Sequence, residues 1–272
     1  MTDVKLAYDA DANLHDGRPV LLLLHGFTQD RRAWNGVRDG LRRIGPTVAV
    51  DLIGHGASPK PDDVAAYRPE ACLGQLDDVL AALRLPRAWW VGYSMGGRVA
   101  LQMAVHRRER VEGLVLASTT AGIPELEVRA ERIRADRVLA DRIGGWGIEA
   151  FVDFWMELPL FEGLRRLPNA QRETLRRQRL DNSAVGLANS LRGMGSGAMP
   201  PVWERLRDVQ VPALVLAGEL DEKFAALARS LVAGLPEGNL AIVPDAGHSL
   251  VLEAPQRFLS AVLGFFQRVE AA

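Results

Sequence analysis

The stretch WWVGYSMGGRVAL, residues 89–101, decides the fold. A short apolar run, Ala88 to Val91, ends in Gly92-Tyr93-Ser94-Met95-Gly96-Gly97, and a helix-like pattern continues through Val99, Ala100 and Leu101. A chain that turns from a buried strand into a helix in almost no residues strains the residue at the corner. Side chains two positions to either side would collide there, so glycine is the residue that fits. The corner side chain then projects away from the sheet at the N-terminus of the helix. Ser94 is thereby a candidate nucleophile or base. Arg98 follows within one turn, although the partial positive charge of a helix N-terminus disfavours a cation there by some tenths of a kcal/mol. Two readings of Arg98 stand side by side. It snorkels to a nearby acid, or it faces a pocket and meets an anionic group.

The same alternation extends in both directions. Val20 to Leu24, Thr47 to Leu52, Leu114 to Ala117, Ala213 to Ala217 and Leu240 to Val243 are continuous apolar runs, the mark of strands buried on both faces. Val4 to Asp9 reads as an edge strand. Helical stretches lie between them at Ala33 to Arg43, Glu70 to Leu83, Gly96 to Arg107 and Ala225 to Leu235, and Pro255 to Val269 closes the chain as an amphipathic helix. Strand alternating with helix predicts an α/β fold, a mostly parallel sheet flanked by helices. The alternation breaks between about Thr119 and Pro200, where helical patterns at Ala130 to Ile143, Ile148 to Glu157 and Gln171 to Leu180 replace strands. The predicted organisation is a core in two parts, 1–118 and 200–272, with a helical cap, 119–199, over the carboxyl edge of the sheet, where open α/β sheets bind ligands.

The length of 272 residues is near the upper limit for one hydrophobic core, and 48% hydrophobic with 25% charged residues fits a soluble globular protein. A net charge of −1 provides no general attraction to nucleic acid or anionic membrane. The one cysteine, Cys72, can form no internal disulfide and is expected inside as a small apolar residue. The acidic N-terminal MTDVKLAYDADANLHDG lacks the apolar segment of a secretory signal, and no apolar run reaches membrane-spanning length. A cytoplasmic enzyme is the expectation. Only three lysines, Lys5, Lys60 and Lys223, stand against thirty arginines. The sequence carries no signal for oligomeric state.

A serine is inert at neutral pH without a base. Among the five histidines, His15 and His106 fall in a loop and at a helix end. His25 and His55 sit in glycine-flanked loops after the first two buried strands and are read as loop-shaping residues. His248, in Gly247-His248-Ser249, follows the last strand, from which an imidazole reaches over the sheet edge to Ser94. The orienting acid is expected after another strand. Asp221 comes four residues past a buried run and is favoured over Glu219 and over Asp245, which shapes the histidine loop. Serine, aspartate, histidine is the chain order of α/β-hydrolase triads. The oxyanion hole is expected from the N–H of Met95, after the serine, and that of Phe27, after the first buried strand. No histidine pair has metal-ligand spacing, and Gly92 to Gly97 matches neither a phosphate loop nor a dinucleotide fingerprint.

LHGF at 24–27, DLIGHGAS at 51–58, GYSMGG at 92–97 and AGH at 246–248 resemble the α/β-hydrolase superfamily over nearly the whole chain. GYSMGGRVAL, the cap segments WMELPLF (155–161) and SLRGMGSGAMP (190–200), and GELDEKF (218–224) are similar to the 2-succinyl-6-hydroxy-2,4-cyclohexadiene-1-carboxylate synthases of menaquinone biosynthesis. That resemblance implies a cofactor-free elimination of pyruvate from a small anionic substrate bearing three carboxylates. It places substrate-binding roles on Tyr93, Arg98, Arg132 (in RAERIRAD), Trp155, Arg179 (in RQRLDN) and Lys223. It also exposes a departure: after LHGF this chain has Thr28-Gln29-Asp30, where the family more often has a small Gly/Ser turn. The implied chemistry is proton abstraction by Ser94, itself deprotonated with the help of His248, followed by loss of pyruvate without an acyl-enzyme. Two alternatives share the scaffold: a serine carboxylesterase or C–C bond hydrolase that uses the triad for acyl transfer, and a non-catalytic ligand receptor, against which the intact triad argues.

Overall fold

The computed structural model describes residues 4–271. In chain order its strands and helices are β1 (Tyr8–Ala10), β2 (Leu21–Leu24), α1 (Asn35–Leu41), β3 (Thr47–Val50), α2 (Pro69–Ala82), β4 (Ala88–Tyr93), α3 (Met95–His106), β5 (Val111–Ala117), α4 (Leu126–Met156), α5 (Asn169–Leu180), α6 (Ala184–Met194), β6 (Ala213–Gly218), α7 (Glu222–Gly234), β7 (Gly238–Val243), α8 (Leu250–Glu253) and α9 (Pro255–Glu270), with short 3-10 turns between some of them. The sheet runs β1-β3-β2-β4-β5-β6-β7. β1 pairs antiparallel with β3, and every other pairing is parallel.

The apolar runs explain this order. Leu21 to Leu24, Thr47 to Val50 and Ala88 to Tyr93 are buried at every position, so both faces of the central strands must be covered by helices. One face packs through Leu22, Val48, Trp90 and Leu114 against α2, α3 and α7. The other packs through Leu23, Ala49, Val91 and Leu214 against α1 and α9. Cys72 lies in the first of these cores, and burial pushes its thiol up to about 12, which keeps it protonated and inert. β7 departs from the expected pattern. It is the outer strand of the sheet, and Leu240 is 40% exposed, so this run is covered incompletely.

Between β5 and β6 the chain leaves the sheet and forms α4, α5 and α6. α4 joins the two helices expected at Ala130 to Ile143 and Ile148 to Glu157. They meet at Gly147, whose backbone (φ 78°, ψ 171°) breaks the helical path without ending it. α6 was not among the expected helices. Its buried face is built from Leu187, Ala188 and Leu191, which meet Ala140, Ile143, Phe151 and Val152 of α4 in a small core of their own. Among the described residues no helix is long and apolar enough to cross a membrane, and no group of three or more His, Cys, Asp or Glu side chains is placed to hold a metal ion.

Candidate active site

The turn from β4 into α3 places Ser94 at φ 51° and ψ −106°, a left-handed backbone that a non-glycine residue adopts only under constraint. The constraint is visible. Ser94 N–H donates to Ala117 O of β5 (2.8 Å), and Gly96 N–H donates to His25 O (3.1 Å). Thr119 Oγ1 donates to Ser94 O (2.8 Å). A Cβ on Gly92 would lie 2.5 Å from the Gly96 carbonyl, and one on Gly96 would lie 2.2 Å from Leu24 O. Only glycine allows the helix to start this close to the sheet.

Ser94 Oγ lies 3.2 Å from His248 Nε2, and His248 Nδ1 donates to Asp221 Oδ2 at 2.8 Å. The aspartate fixes the tautomer, since the nitrogen facing it must carry the proton and the nitrogen facing the serine is then free to accept one. The other carboxylate oxygen of Asp221 accepts Phe224 N–H (3.2 Å), so the residue also caps α7 and has little freedom to turn. Phe224 packs against the imidazole with ring centroids 4.4 Å apart and planes tilted by 59°. Asp245, the rival acid, is exposed, pairs with Arg257 (3.0 Å) and makes no contact with His248 Nδ1. The histidine loop is held by a residue that sequence reasoning did not single out. Glu253 in α8, buried at 3% side-chain exposure, accepts Gly247 N–H (2.7 Å) with one oxygen and Ser249 N–H (3.0 Å) with the other. Its only sequence signal is an acid five residues after the histidine.

The N–H groups of Met95 and Phe27 have no hydrogen-bond acceptor among the described residues, and both residues border the cavity above Ser94. Thr28 (φ 68°) closes the turn behind Phe27. His25 and His55 take no part in this cavity. His25 Nε2 accepts Leu52 N–H (3.0 Å) while its Nδ1 donates to Gly26 O (2.8 Å), a pattern only the neutral ring satisfies. His55 lies against it, with centroids 5.0 Å apart, and burial lowers its pKa to about 3. Both shape their loops.

The cavity over Ser94 holds about 160 Å³ and is lined by Tyr93, Arg98, Arg132, Trp155, Arg179 and Lys223, together with His248 and Phe161. The six positions drawn from the family resemblance therefore converge on one space. Among the described residues no acid lies within ion-pair distance of Arg98. Its Nη2 donates to Met194 O (3.0 Å) and its Nε approaches Met199 Sδ (3.5 Å). Loss of hydration, followed by the nearby Arg132 and offset by Asp136, lowers its pKa to about 10. Arg179, 2% exposed, donates from Nε to Thr28 Oγ1 (3.2 Å) and lies over the Phe161 ring at 5.8 Å. Its Nη1 is buried without a partner, and desolvation lowers its pKa to about 10 as well. Both arginines stay charged at neutral pH without an ion-paired carboxylate among the described residues. Arg132 differs, because its Nε pairs with the buried Asp136 (2.8 Å) across one helical turn. Trp155 packs edge-on to Phe27 (5.2 Å), and its indole N–H is likewise unpartnered. Tyr93 turns its hydroxyl to Ser249 Oγ (3.1 Å), and burial raises its pKa.

Residues 21–261 match the model of the alpha/beta hydrolase family. A protein of Bacillus subtilis (strain 168), provisionally named 2-succinyl-6-hydroxy-2,4-cyclohexadiene-1-carboxylate synthase, is 39% identical over 250 residues, covering 92% of this chain and 91% of that protein. The enzyme of that name from Serratia proteamaculans (strain 568) is 32% identical, covering 91% and 93%. The solved structure of MenH from S. aureus superimposes with a TM-score of 0.91 at 33% identity, covering 99% of this chain and all of that one. The chain belongs to the alpha/beta hydrolase family and, within it, groups with the 2-succinyl-6-hydroxy-2,4-cyclohexadiene-1-carboxylate synthases.

Proposed function

We propose that this protein is a cytoplasmic lyase of menaquinone biosynthesis. It eliminates pyruvate from 2-succinyl-5-enolpyruvyl-6-hydroxy-3-cyclohexene-1-carboxylate to give 2-succinyl-6-hydroxy-2,4-cyclohexadiene-1-carboxylate. The observation that carries the reading is the pair of guanidinium groups, the half-buried Arg98 and the buried Arg179, which border the Ser94 cavity with no ion-pair partner among the described residues. Cations held partly or wholly out of water without a paired carboxylate are costly unless an anionic ligand meets them. A substrate with three carboxylates answers that requirement, and a neutral ester does not.

In this reading His248 takes the Ser94 proton, and Ser94 Oγ removes a proton from the substrate ring. Negative charge spreads onto the conjugated acyl oxygen, which the Phe27 and Met95 N–H groups receive. The bond between the ring carbon and the enolpyruvyl oxygen breaks, and the departing enolate takes up the proton held on His248 and leaves as pyruvate. Asp221 holds the His248 tautomer and stabilises the imidazolium formed on the way. The cap excludes water from the charged intermediate. Direct measurement of pyruvate release from the menaquinone intermediate tests the proposal. No release above background, from enzyme whose Ser94 reacts with a fluorophosphonate, would return the protein to the esterase reading.

A further inference from the structure

Gln29 lies in Thr28-Gln29-Asp30, the segment that follows LHGF, and the structure gives that segment a shape. Its backbone N–H donates to Gly26 O (3.1 Å) and its side-chain Oε1 accepts Gly26 N–H (3.1 Å). The turn carrying Phe27 is thus closed twice by one residue. Gly26 can carry no side chain beneath it, since a Cβ would lie 2.7 Å from the Tyr93 ring. With Oε1 committed to Gly26, the orientation of the amide is settled and Nε2 points the other way. Gln29 is 8% exposed and borders the cavity that contains Ser94, Arg179 and His248. Its NH2 group has no hydrogen-bond partner among the described residues.

We infer that Gln29 is a specificity-determining residue of this chain, presenting a neutral NH2 donor to a carboxylate oxygen of the substrate beside the oxyanion turn. The inference rests on the lyase reading for the identity of the substrate, though not for its anionic class. A glutamine suits the place. It adds a donor without adding a third bare cation next to Arg179, and it cannot titrate. An amide that served only to close the turn would act alike on anionic and neutral substrates.

The substitution that separates the two roles is Q29E, because it keeps the oxygen that accepts Gly26 N–H and replaces the NH2 by an anionic oxygen. The KM for pyruvate release should rise about 10- to 100-fold at pH 8, the range for losing a hydrogen bond to a charged group, while kcat changes less than about threefold. As pH falls from 8 to 5.5, the ratio of variant to wild-type KM should shrink, because protonation of the introduced carboxylate removes its charge. Hydrolysis of 4-nitrophenyl butyrate should change less than about threefold, whereas mono-4-nitrophenyl succinate, of similar size but anionic, should lose as much as the pyruvate reaction. Q29M, which removes both ends of the amide, controls for the turn itself, and melting curves verify that each variant is folded. Equal losses on neutral and anionic substrates, or no loss with either, overturn the inference and leave a structural turn residue. Wild-type protein that discriminates the two esters through Gln29 but releases no pyruvate defeats the lyase reading and spares this one. Wild-type protein that turns over none of the three substrates defeats both.

Discussion

Glu253 offers the most direct test of how the fold holds its base. Replacing it by alanine removes both acceptors from the N–H groups flanking His248, at 2.7 and 3.0 Å, inside a site where the carboxylate is 3% exposed. Each buried donor left unpaired costs about 1–3 kcal/mol, so E253A should lose about 2–6 kcal/mol of stability. The contact with Arg166 at 3.3 Å adds little, because that guanidinium is half exposed and such pairs contribute less than about 1 kcal/mol. The catalytic consequence is separate. A loop released on both sides of the imidazole lets Nε2 drift from Ser94, and a displacement of about 1 Å can cost about 10²-fold in rate. Urea unfolding reads the first effect. The rate at which a fluorophosphonate labels Ser94, measured where the variant is fully folded, reads the second. E253Q should fall between, because its amide accepts one N–H and sets its own NH2 against the other. If E253A unfolds at a lower urea concentration yet labels at the wild-type rate, Glu253 holds the fold and not the base. If neither quantity changes, the account of the histidine loop is wrong.

Other outcomes follow from the same geometry. S94A and H248A should each reduce pyruvate release by at least about 10³-fold with melting temperatures near wild type, as members of one cooperating unit do; near-native rates from either would remove the triad from the mechanism. D221N should cost a similar factor while retaining the fold, since an amide facing Nδ1 can stabilise the wrong tautomer; full activity would show that the 2.8 Å contact is incidental. R98K should impair pyruvate release by at least about tenfold and leave hydrolysis of a neutral nitrophenyl ester within about threefold, because lysine lacks the guanidinium fork; equal effects on both would mean that Arg98 merely supports the cap. Stability should fall on acidification through the histidine range. The folded pKa of His55 is depressed to about 3 from 6.5, so the unfolded chain binds the extra proton first and stability declines as pH drops from 6.5 towards 3. H55N should flatten that slope in denaturation midpoints measured from pH 7 to 4, and an unchanged slope would assign it elsewhere.

The parts legible in the sequence are those encoded by local signals. A nucleophile elbow announces itself within six residues, because the steric need for Gly92 and Gly96 is local. His248 and Asp221 each follow an apolar strand run, and in a parallel sheet every strand ends at the same edge, so residues after such runs meet without further information. The central strands are found because they are continuously apolar, although their ends differ from the apolar runs by one to three residues, as where β5 begins at Val111 instead of Leu114. β7 reads as buried when it is an outer strand, since an apolar run does not report its place in the order. α6 escapes notice for the opposite reason. Its GLANSLRGM is rich in small and polar residues, and Asn189 and Ser190 are buried within it, so its apolar stripe is thin. Gly147 illustrates a third limit. It stands where two helices were expected to be separate, yet its left-handed backbone bends the path instead of ending it.

Side-chain partnerships across the cap were the least legible. Arg132 and Arg179 look alike as cap arginines, yet one is half neutralised by Asp136 and the other is bare, a difference that depends on tertiary packing alone. The same holds for Thr28-Gln29-Asp30. Read as a departure from a family pattern, it marks a pocket wall of unknown character. In the structure each residue has a partner that explains it: Thr28 accepts Arg179, Gln29 closes the oxyanion turn, and Asp30 caps the following 3-10 turn and pairs with Arg32 at 2.6 Å.

The unpartnered polar atoms complete the chemical argument. Buried side-chain donors and acceptors are nearly always satisfied, and each exception lowers stability by about 1–3 kcal/mol. Among the described residues, two of the exceptions, Trp155 Nε1 and Arg179 Nη1, belong to side chains bordering the Ser94 cavity. Both are donors. A site shaped for the acyl chain of a neutral ester would gain nothing from two bare N–H groups and would lose stability by keeping them dry. An acceptor-rich anion in the same cavity offers these side chains a partner that the empty fold does not. Asp136 sharpens the contrast. Its Oδ2 lies where a Cβ on the cavity-lining Gly195 would approach to 2.5 Å, and its Oδ1 holds Arg132 through Nε, which leaves the outer fork of that guanidinium free. The acid therefore orients Arg132 and partly offsets the charge of Arg98, while Arg179 is left without a carboxylate. Cationic side chains that border a cavity holding a base, one of them without a carboxylate, suit an anionic substrate better than a neutral ester.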